Sequence, residues 1–354
     1  MNFTLNVVLA FITAGTSTYG FAVSVNQLRK GFNYLFYWFA AISWLLAGAG
    51  YVFVAFGLLS LLDGFLKIGS FFVLLCTFFL LMSADTLKRE QVDPVKLAVF
   101  LEVSVLLVIS TFLVPNAVTF SPDVFGGESF SGSPYVDLSK VAAGGIVWVY
   151  ACYCAYLANK RAPVSLKRHS RLFFGGTFLV ATGIFTQLSA SMSFFFILAS
   201  AGAVLMTYAY SREPKLLFVL PFTALRLTVL ETEGGIPLFS HTWNRQGDLA
   251  DEDLFSGMLQ GVSMILKESL QRGDVQEIRM SNAIIIAYRN PEYPVAFVLV
   301  VTRSSRNLRD GLKLFAERFC NQYKTGFAVP NYVEQFSGAE DLVAACFPHV
   351  PVYD

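Results

Sequence analysis

The sequence predicts two fold classes in one chain: an all-α bundle of seven transmembrane helices, followed by an α+β domain. Of its 354 residues, 55% are hydrophobic and only 14% are charged, whereas a soluble domain carries about 25% charged residues. Residues 1–212 hold 21 of the charges and residues 213–354 hold 30. We therefore expect a membrane domain over 1–212, a juxtamembrane linker over 213–222 and a second domain over 223–354. This composition excludes a fully soluble enzyme.

Seven segments of the membrane domain are apolar enough to cross the hydrocarbon core, which takes about 20 residues. They are Leu5–Val25, Asn33–Phe56, Leu59–Ser83, Leu97–Val114, Val141–Leu157, Leu172–Leu188 and Met192–Tyr210. Few residues separate the second segment from the third and the sixth from the seventh, so each of these pairs is predicted to form a tight helical hairpin. No basic residue precedes the first apolar run, which favours a retained span over a cleaved signal peptide.

Basic residues in the connections predict the orientation of the bundle. One side has only Lys67 and Lys140. The other side has Arg29, Lys30, Lys88, Arg89, Lys96, Lys160, Arg161, Lys167, Arg168, Arg171, Arg212 and Lys215. Because cytoplasmic loops are enriched in Lys and Arg, we expect the N-terminus outside, the C-terminal domain in the cytoplasm, and the bundle in the cell membrane, surrounded by lipid.

Glu102 is the candidate intramembrane polar site, since it lies inside the fourth segment and a carboxylate in lipid is costly. It is either a ligand contact or a proton-coupled switch. Alternatively it is hydrogen-bonded to hydroxyl groups of neighbouring helices, or it stays wet near the cytoplasmic face. Asp63 and Lys67 are spaced i and i+4, which predicts a local helix pair.

The connection from Pro115 to Ser139 is the only long one on the outer side. It reads PNAVTFSPDVFGGESFSGSPYVDLS, rich in Gly, Ser and Pro and interleaved with aromatic residues. Such a composition is typical of a solvated, loosely ordered loop. A lid over a ligand-binding crevice is the alternative, and the sequence leaves both interpretations open.

The sequence offers no catalytic, cofactor or metal site. The seventh segment has no lysine for a retinal Schiff base, the three histidines lie outside the spans, and the five cysteines form no CxxC or Cys/His cluster. No phosphate-binding loop, HExxH, GxSxG or kinase motif occurs in the second part. Residues 213–354 hold 13 basic and 17 acidic side chains, which argues against nucleic-acid binding. We therefore expect a protein that is not an enzyme.

Apolar alternation predicts the elements of the second domain. A strand over 224–231 and a returning strand over 236–243, joined by a turn at 232–235, form a hairpin. An acidic start and an apolar stripe then predict a helix over 251–272. The remaining elements are strands over 275–280, 283–289 and 294–303, a helix capped by Ser305, and a short helix over 339–346. The order is β-β-α-β-β-β-α with an antiparallel sheet.

This order, with TVLETEGGIPLFSHTW as its first hairpin, resembles the longin and roadblock group of profilin-like domains over about residues 223–322. Archaeal members often show an acidic residue, a glycine turn and a Gly-hydrophobic-Pro-Leu-Phe stretch. The matching positions are Glu231, Gly235, Ile236, Pro237, Leu238 and Phe239. No extra N-terminal helix is evident, which favours a longin-like domain. The resemblance implies a non-catalytic domain, because relatives bind small GTPases, form dimers and serve in trafficking or signalling at membranes.

The leading hypothesis is therefore a membrane-anchored regulatory or receptor protein. Its longin-like domain would act as a scaffold that recruits a protein partner of the small GTPase class, or a second copy of the chain. The alternative hypothesis is a secondary transporter or channel with a regulatory cytoplasmic domain. Prolines avoid the span interiors and Glu102 is the single carboxylate within them, which gives transport little support.

Overall fold

The structure, a computed structural model, divides into two compact units, Met1–Leu220 and Pro221–Asp354. The division falls within the predicted linker over 213–222. The residues that the structure describes are 4–29, 35–88, 93–114, 117–122, 128–186, 192–220, 222–232, 237–243, 275–280, 283–290, 292–324, 336 and 338–352.

The first unit contains a helix at each predicted span. These helices are α1 (Leu5–Arg29), α2 (Leu35–Ser60), α3 (Asp63–Lys88), α4 (Pro94–Phe112), α5 (Pro134–Arg161), α6 (Lys167–Thr186) and α7 (Met192–Arg212). Within the described ranges, six of them are long and apolar enough to cross a membrane, and α6 is the one outside that set. A multi-pass membrane protein follows from these helices.

Consecutive helices run antiparallel along the bundle. Between α2 and α3, Ser43 Oγ lies 3.3 Å from Cys76 Sγ, whereas Gly57 at the other end of the pair packs on Leu66. Leu61 has a positive φ of 56° in the two-residue turn that joins these helices, which confirms the tight hairpin predicted here. The predicted Asp63–Lys67 pair also forms, at 3.1 Å.

Helices α1 and α7 run parallel, as four polar contacts along their length show. Ser193 Oγ donates to Asn6 Oδ1 at 2.7 Å, Thr13 Oγ1 lies 2.9 Å from Ser200 Oγ, Ser24 Oγ lies 3.2 Å from Tyr210 Oη, and Gln27 Nε2 donates to the Ser211 carbonyl at 3.1 Å. From the first contact to the last, the residue numbers increase along both helices, so the two helices run in the same direction.

Glycines let two helix pairs approach backbone to backbone. A Cβ atom added at Gly176 of α6 would lie 2.7 Å from the Gly202 carbonyl of α7, and one at Gly202 would lie 2.5 Å from the Gly176 carbonyl. A Cβ atom added at Gly69 of α3 would similarly lie 2.9 Å from the Gly50 carbonyl of α2. Such close approach is how helices associate where lipid removes the hydrophobic gain of packing.

The connection between α4 and α5 is partly regular. Strands β1 (Val118–Pro122) and β2 (Glu128–Gly132) pair antiparallel as a hairpin, and α5 begins at Pro134 rather than after Ser139. Proline is well suited to the first helical position, because its missing N–H would be unsatisfied there in any case. We call the end of the bundle that carries this hairpin the hairpin end, and the opposite end the basic end.

The second unit contains a five-stranded antiparallel sheet. Its strands are β3 (Ala224–Glu231), β4 (Pro237–Thr242), β5 (Val275–Arg279), β6 (Ile284–Arg289) and β7 (Val295–Val301). Their spatial order is β4-β3-β7-β6-β5. Each strand lies where the apolar alternation predicts it. The predicted turn at 232–235 lies mostly outside the described residues, and the predicted helix over 251–272 lies wholly outside them.

Helix α8 (Arg306–Gln322) packs on one face of this sheet. Its Phe315 and Phe319 rings contact Phe297 of β7, at 6.0 and 5.7 Å between ring centroids. All seven residues of β7 are buried, as the continuous apolar pattern predicts. Helix α9 (Ala339–Cys346) follows, and its Glu340 lies 2.6 Å from His241 Nδ1. This contact fits a structural role for the histidine.

Replacing Gly176 by Ala should destabilise the bundle, because the new methyl group would push α6 away from the Gly202 carbonyl. Overpacking of this kind costs about 1–3 kcal/mol. The matched control is Gly175→Ala, since no atom lies within 4 Å of a Cβ there and alanine favours a helix over glycine. The measurement is the free energy of unfolding of the full chain in mixed micelles. Equal effects of the two changes would contradict this packing.

Candidate functional site: a cavity at the hairpin end

The described part of the bundle contains a cavity of about 220 Å³ that extends from the hairpin end into the middle of the helices. All seven helices line it, and the β1–β2 hairpin contributes Phe130. Representative residues from α1 to α7 are Thr13, Trp44, Ser70, Leu107, Lys140, Val180 and Phe195. A concave, mostly apolar site with few polar groups is typical of small-molecule binding.

Aromatic side chains form much of the cavity wall. Trp44, Tyr51, Trp148, Phe195 and Phe196 come from α2, α5 and α7. The Tyr51 ring lies 6.1 Å from Phe196 in an edge-on arrangement, so these rings also hold one another in place. The Trp44 ring is also held by a hydrogen bond, because its Nε1 donates to Tyr210 Oη at 3.1 Å.

Most hydroxyl groups of the wall are already used by the helices. Ser17 Oγ donates to the Thr13 carbonyl at 2.8 Å, and Thr77 Oγ1 donates to the Leu74 carbonyl at 2.7 Å. Such bonds to the preceding turn satisfy a hydroxyl without a partner helix. These groups therefore present apolar surface rather than free donors to the cavity.

Lys140 and Asp137 are the two charged residues in the described lining. They lie one helical turn apart on α5, with Lys140 Nζ 3.9 Å from Asp137 Oδ1. That separation is too long for a hydrogen bond. Asp137 Oδ1 instead accepts from the Gly132 backbone N–H at 3.0 Å, and Lys140 Nζ lies 5.0 Å from the centroid of the Phe130 ring.

The β1–β2 hairpin lies at the mouth of the cavity. It is attached through buried Ala117 and Val118 and through Gly132, where a Cβ atom would lie only 2.4 Å from Asp137 Oδ1. The described residues of the connection over 115–139 are thus partly regular and contribute Phe130 to the cavity wall.

Glu102 lies elsewhere. It is exposed on α4, about 12 Å along the helix from Pro94, and is not among the residues that line the cavity. Its neighbours on that exposed face are apolar, among them Val99, Val105 and Leu106. Among the described residues, the structure therefore does not bring Glu102 together with the polar residues that line the cavity, and the proposed function does not use it.

A second polar cluster, which the sequence did not reveal, lies at the basic end. The Asp85 side chain is only 1% exposed and forms an ion pair with Lys96. Tyr150 Oη donates to Asp85 Oδ1 at 2.6 Å, and the Asp93 backbone N–H donates to Asp85 Oδ2 at 2.6 Å. Asp93 also caps α4 through the Val95 N–H. The cluster joins the ends of α3 and α4 to α5.

Neither a metal site nor a disulfide is found among the described residues: they hold no group of three metal-ligating side chains, and the five cysteines are free. In the second unit, burial raises the pKa of the Cys320 thiol to about 12 and also raises that of Cys346. Both groups therefore stay protonated and unreactive near neutral pH.

Comparison of the chain with protein-family models, with curated proteins and with solved structures finds no match.

Tyr150→Phe should lower the free energy of unfolding by about 1.5–3 kcal/mol, the usual contribution of a hydrogen bond to a charged group. The reason is that the buried Asp85 carboxylate would lose one of its donors. Tyr156→Phe is the matched control, since Tyr156 lies on the same helix, is 48% exposed and keeps its ring contact with Phe174. Unfolding in mixed micelles measures both changes. A Tyr150→Phe protein as stable as the control would show that the cluster does not hold the helices together.

Proposed function

We propose that this protein is a membrane receptor or regulatory protein, in which the helix bundle binds a small ligand and the C-terminal domain recruits a protein partner. The observation that carries the proposal is the cavity at the hairpin end, with aromatic walls and a partly buried lysine. Its polar groups are few and convergent, as in binding sites generally.

The direction of the helices supports seven spans rather than six. If α1 and α7 both cross the membrane and run parallel, the number of crossings from the first to the last must be odd. Helix α6 supplies the seventh crossing, because it packs antiparallel against α7 at Gly176 and Gly202. Its lower hydropathy reflects the basic residues Lys167, Arg168 and Arg171 in its first turns, which suit a helix that starts at a charged membrane surface.

Charge supports an orientation with the hairpin end outside. Among the described residues, the hairpin end has only Lys67 and Lys140, whereas ten Lys and Arg residues lie at the basic end. The excess of positive charge marks the cytoplasmic side. The ligand cavity then faces the exterior, and the C-terminal sheet domain lies in the cytoplasm.

The sheet domain supports a recruiting role through its resemblance to longin-like domains. The first hairpin, β3–β4, lies beside the last strand, β7, and α8 covers one face. The matching Pro237, Leu238 and Phe239 begin β4. Since relatives of this class bind small GTPases without catalysis of their own, a small GTPase is the partner that we propose.

Cysteine labelling tests the seventh crossing and the orientation together. We expect a membrane-impermeant maleimide to label Thr186→Cys only from outside intact cells, and Arg168→Cys only in inside-out vesicles. Lys67→Cys and Lys160→Cys are the reference positions for the outer and inner sides. Background from Cys320 and Cys346 should be slow, because burial raises the pKa of both thiols. Labelling of positions 168 and 186 from the same side would contradict a crossing by α6.

Partner recruitment is tested by cross-linking the full chain in native membranes and identifying captured proteins by mass spectrometry. We expect a small GTPase to be captured in a nucleotide-dependent manner, with GDP and a non-hydrolysable GTP analogue giving different yields. A chain ending at Leu220, the boundary of the first unit, is the control and should lose the capture. Capture that survives this truncation, or no GTPase in either nucleotide state, would count against the recruiting role.

A further inference from the structure

We propose that the cavity binds a small aromatic carboxylate, with Lys140 as its counter-ion and Phe130 of the hairpin at its mouth. This inference rests on the proposed receptor function and names the chemical class of its ligand. It follows from three properties of the cavity: a cation without a hydrogen-bond acceptor among the described residues, aromatic walls and a limited volume.

The cation is Lys140. Its side chain is only 15% exposed, and in the part of the chain that the structure describes no acceptor lies within hydrogen-bond distance of Nζ. An ammonium group has three N–H donors. Its described partners are the Asp137 carboxylate at 3.9 Å and the Phe130 ring at 5.0 Å, and neither accepts a hydrogen bond at these distances. A ligand carboxylate would supply the missing acceptors through short, charge-assisted hydrogen bonds.

Asp137 does not supply this acceptor. Its Oδ1 accepts the Gly132 N–H at 3.0 Å and lies 3.9 Å from Lys140 Nζ. The carboxylate thereby holds the base of the hairpin against the first turn of α5, and its side chain is more exposed than that of Lys140, at 34% against 15%. An entering carboxylate would therefore compete with Asp137 for the ammonium group and offer it the direct hydrogen bonds that Asp137, at 3.9 Å, does not.

The aromatic walls of the cavity indicate the chemistry of the part of the ligand that does not contact Lys140. Trp44, Trp148, Phe195 and Phe196 offer ring faces and edges, which pack well against another aromatic ring. A volume of about 220 Å³ exceeds the roughly 150 Å³ of an apolar cavity that accepts benzene. One ring with a short carboxylate-bearing chain therefore fits.

The mouth is held in place before a ligand arrives. Gly132 has no room for a side chain between Asp137 and Val136, and the Phe130 ring lies 5.0 Å from Lys140 Nζ. The lysine is therefore held between a ring face and the cavity. An entering anion would meet an ammonium group whose position is already fixed. Binding would therefore lose little free energy to ordering of the Lys140 side chain.

The test uses the full chain in lipid nanodiscs and fluorine NMR of three probes. para-Fluorophenylpropionate has both the ring and the charge, para-fluorophenylpropionamide has the ring alone, and trifluoroacetate has the charge alone. We expect saturable line broadening with the first probe and at least about tenfold weaker binding of the other two, since one charge-assisted hydrogen bond is worth about that factor.

Three variants locate the binding. Lys140→Met should weaken the carboxylate probe by about tenfold or more and leave the amide unchanged, whereas Lys140→Arg should restore much of the affinity. Ser70→Phe should weaken both ring probes, because it adds bulk to the cavity lining. Lys67→Met is the matched control and should change nothing, because Lys67 is paired with Asp63 at 3.1 Å and does not line the cavity.

The outcomes separate this inference from the proposed function. If the carboxylate and the amide bind equally well, and Lys140→Met changes neither, the anionic ligand class is wrong while the cavity remains a ligand site. If no probe binds to a protein whose unfolding shows that it is intact, the aromatic carboxylate is wrong, and the capture of a GTPase still tests the recruiting role independently.

Discussion

Close contact between helix backbones at small residues is the interaction on which the bundle depends. Apolar side chains gain little by leaving lipid for a neighbouring helix, so packing must come from short distances between backbones. Gly176 and Gly202 provide such a contact between α6 and α7, and Gly50 and Gly69 provide one between α2 and α3. The cavity is lined by both bulky and small side chains, with Trp44 and Trp148 beside Ala47 and Gly144.

The surroundings of each unit can be inferred from which side chains it buries. Helix α1 buries Asn6, Thr13 and Ser17 and exposes Phe11 and Ile12. Helix α8 shows the opposite arrangement: it buries the apolar set Leu308, Leu312, Phe315 and Phe319 and exposes charged residues. In lipid the polar groups must find partners inside the bundle, whereas in water the apolar groups are excluded from the surface. The burial pattern of α1 is therefore suited to lipid, and that of α8 is suited to water.

Hydropathy and period-2 alternation are local signals, which is why a helix lies at each predicted span and β3 to β7 lie where they were expected, although α5 begins at Pro134, before the predicted Val141. The Asp85 cluster could not, since Tyr150 lies 65 residues away along the chain and nothing local links the two. The β1–β2 hairpin left a weak signal, a Gly-Gly pair between VTFS and ESFS, which is typical of a hairpin. Glu102 was singled out for its cost in lipid, but that cost does not reveal which face of α4 it occupies.

The position of Lys140 is the reason for inferring that the cavity binds an anion. Among the described residues, only two lysines lie at the hairpin end of the bundle. Lys67 has its counter-ion in Asp63, one turn away. Lys140 is more buried, yet the nearest carboxylate, that of Asp137, is hydrogen-bonded to the hairpin backbone. Lys140 therefore has an ion-pair partner but no hydrogen-bond acceptor in the part of the chain that the structure describes, and a ligand carboxylate would supply that acceptor.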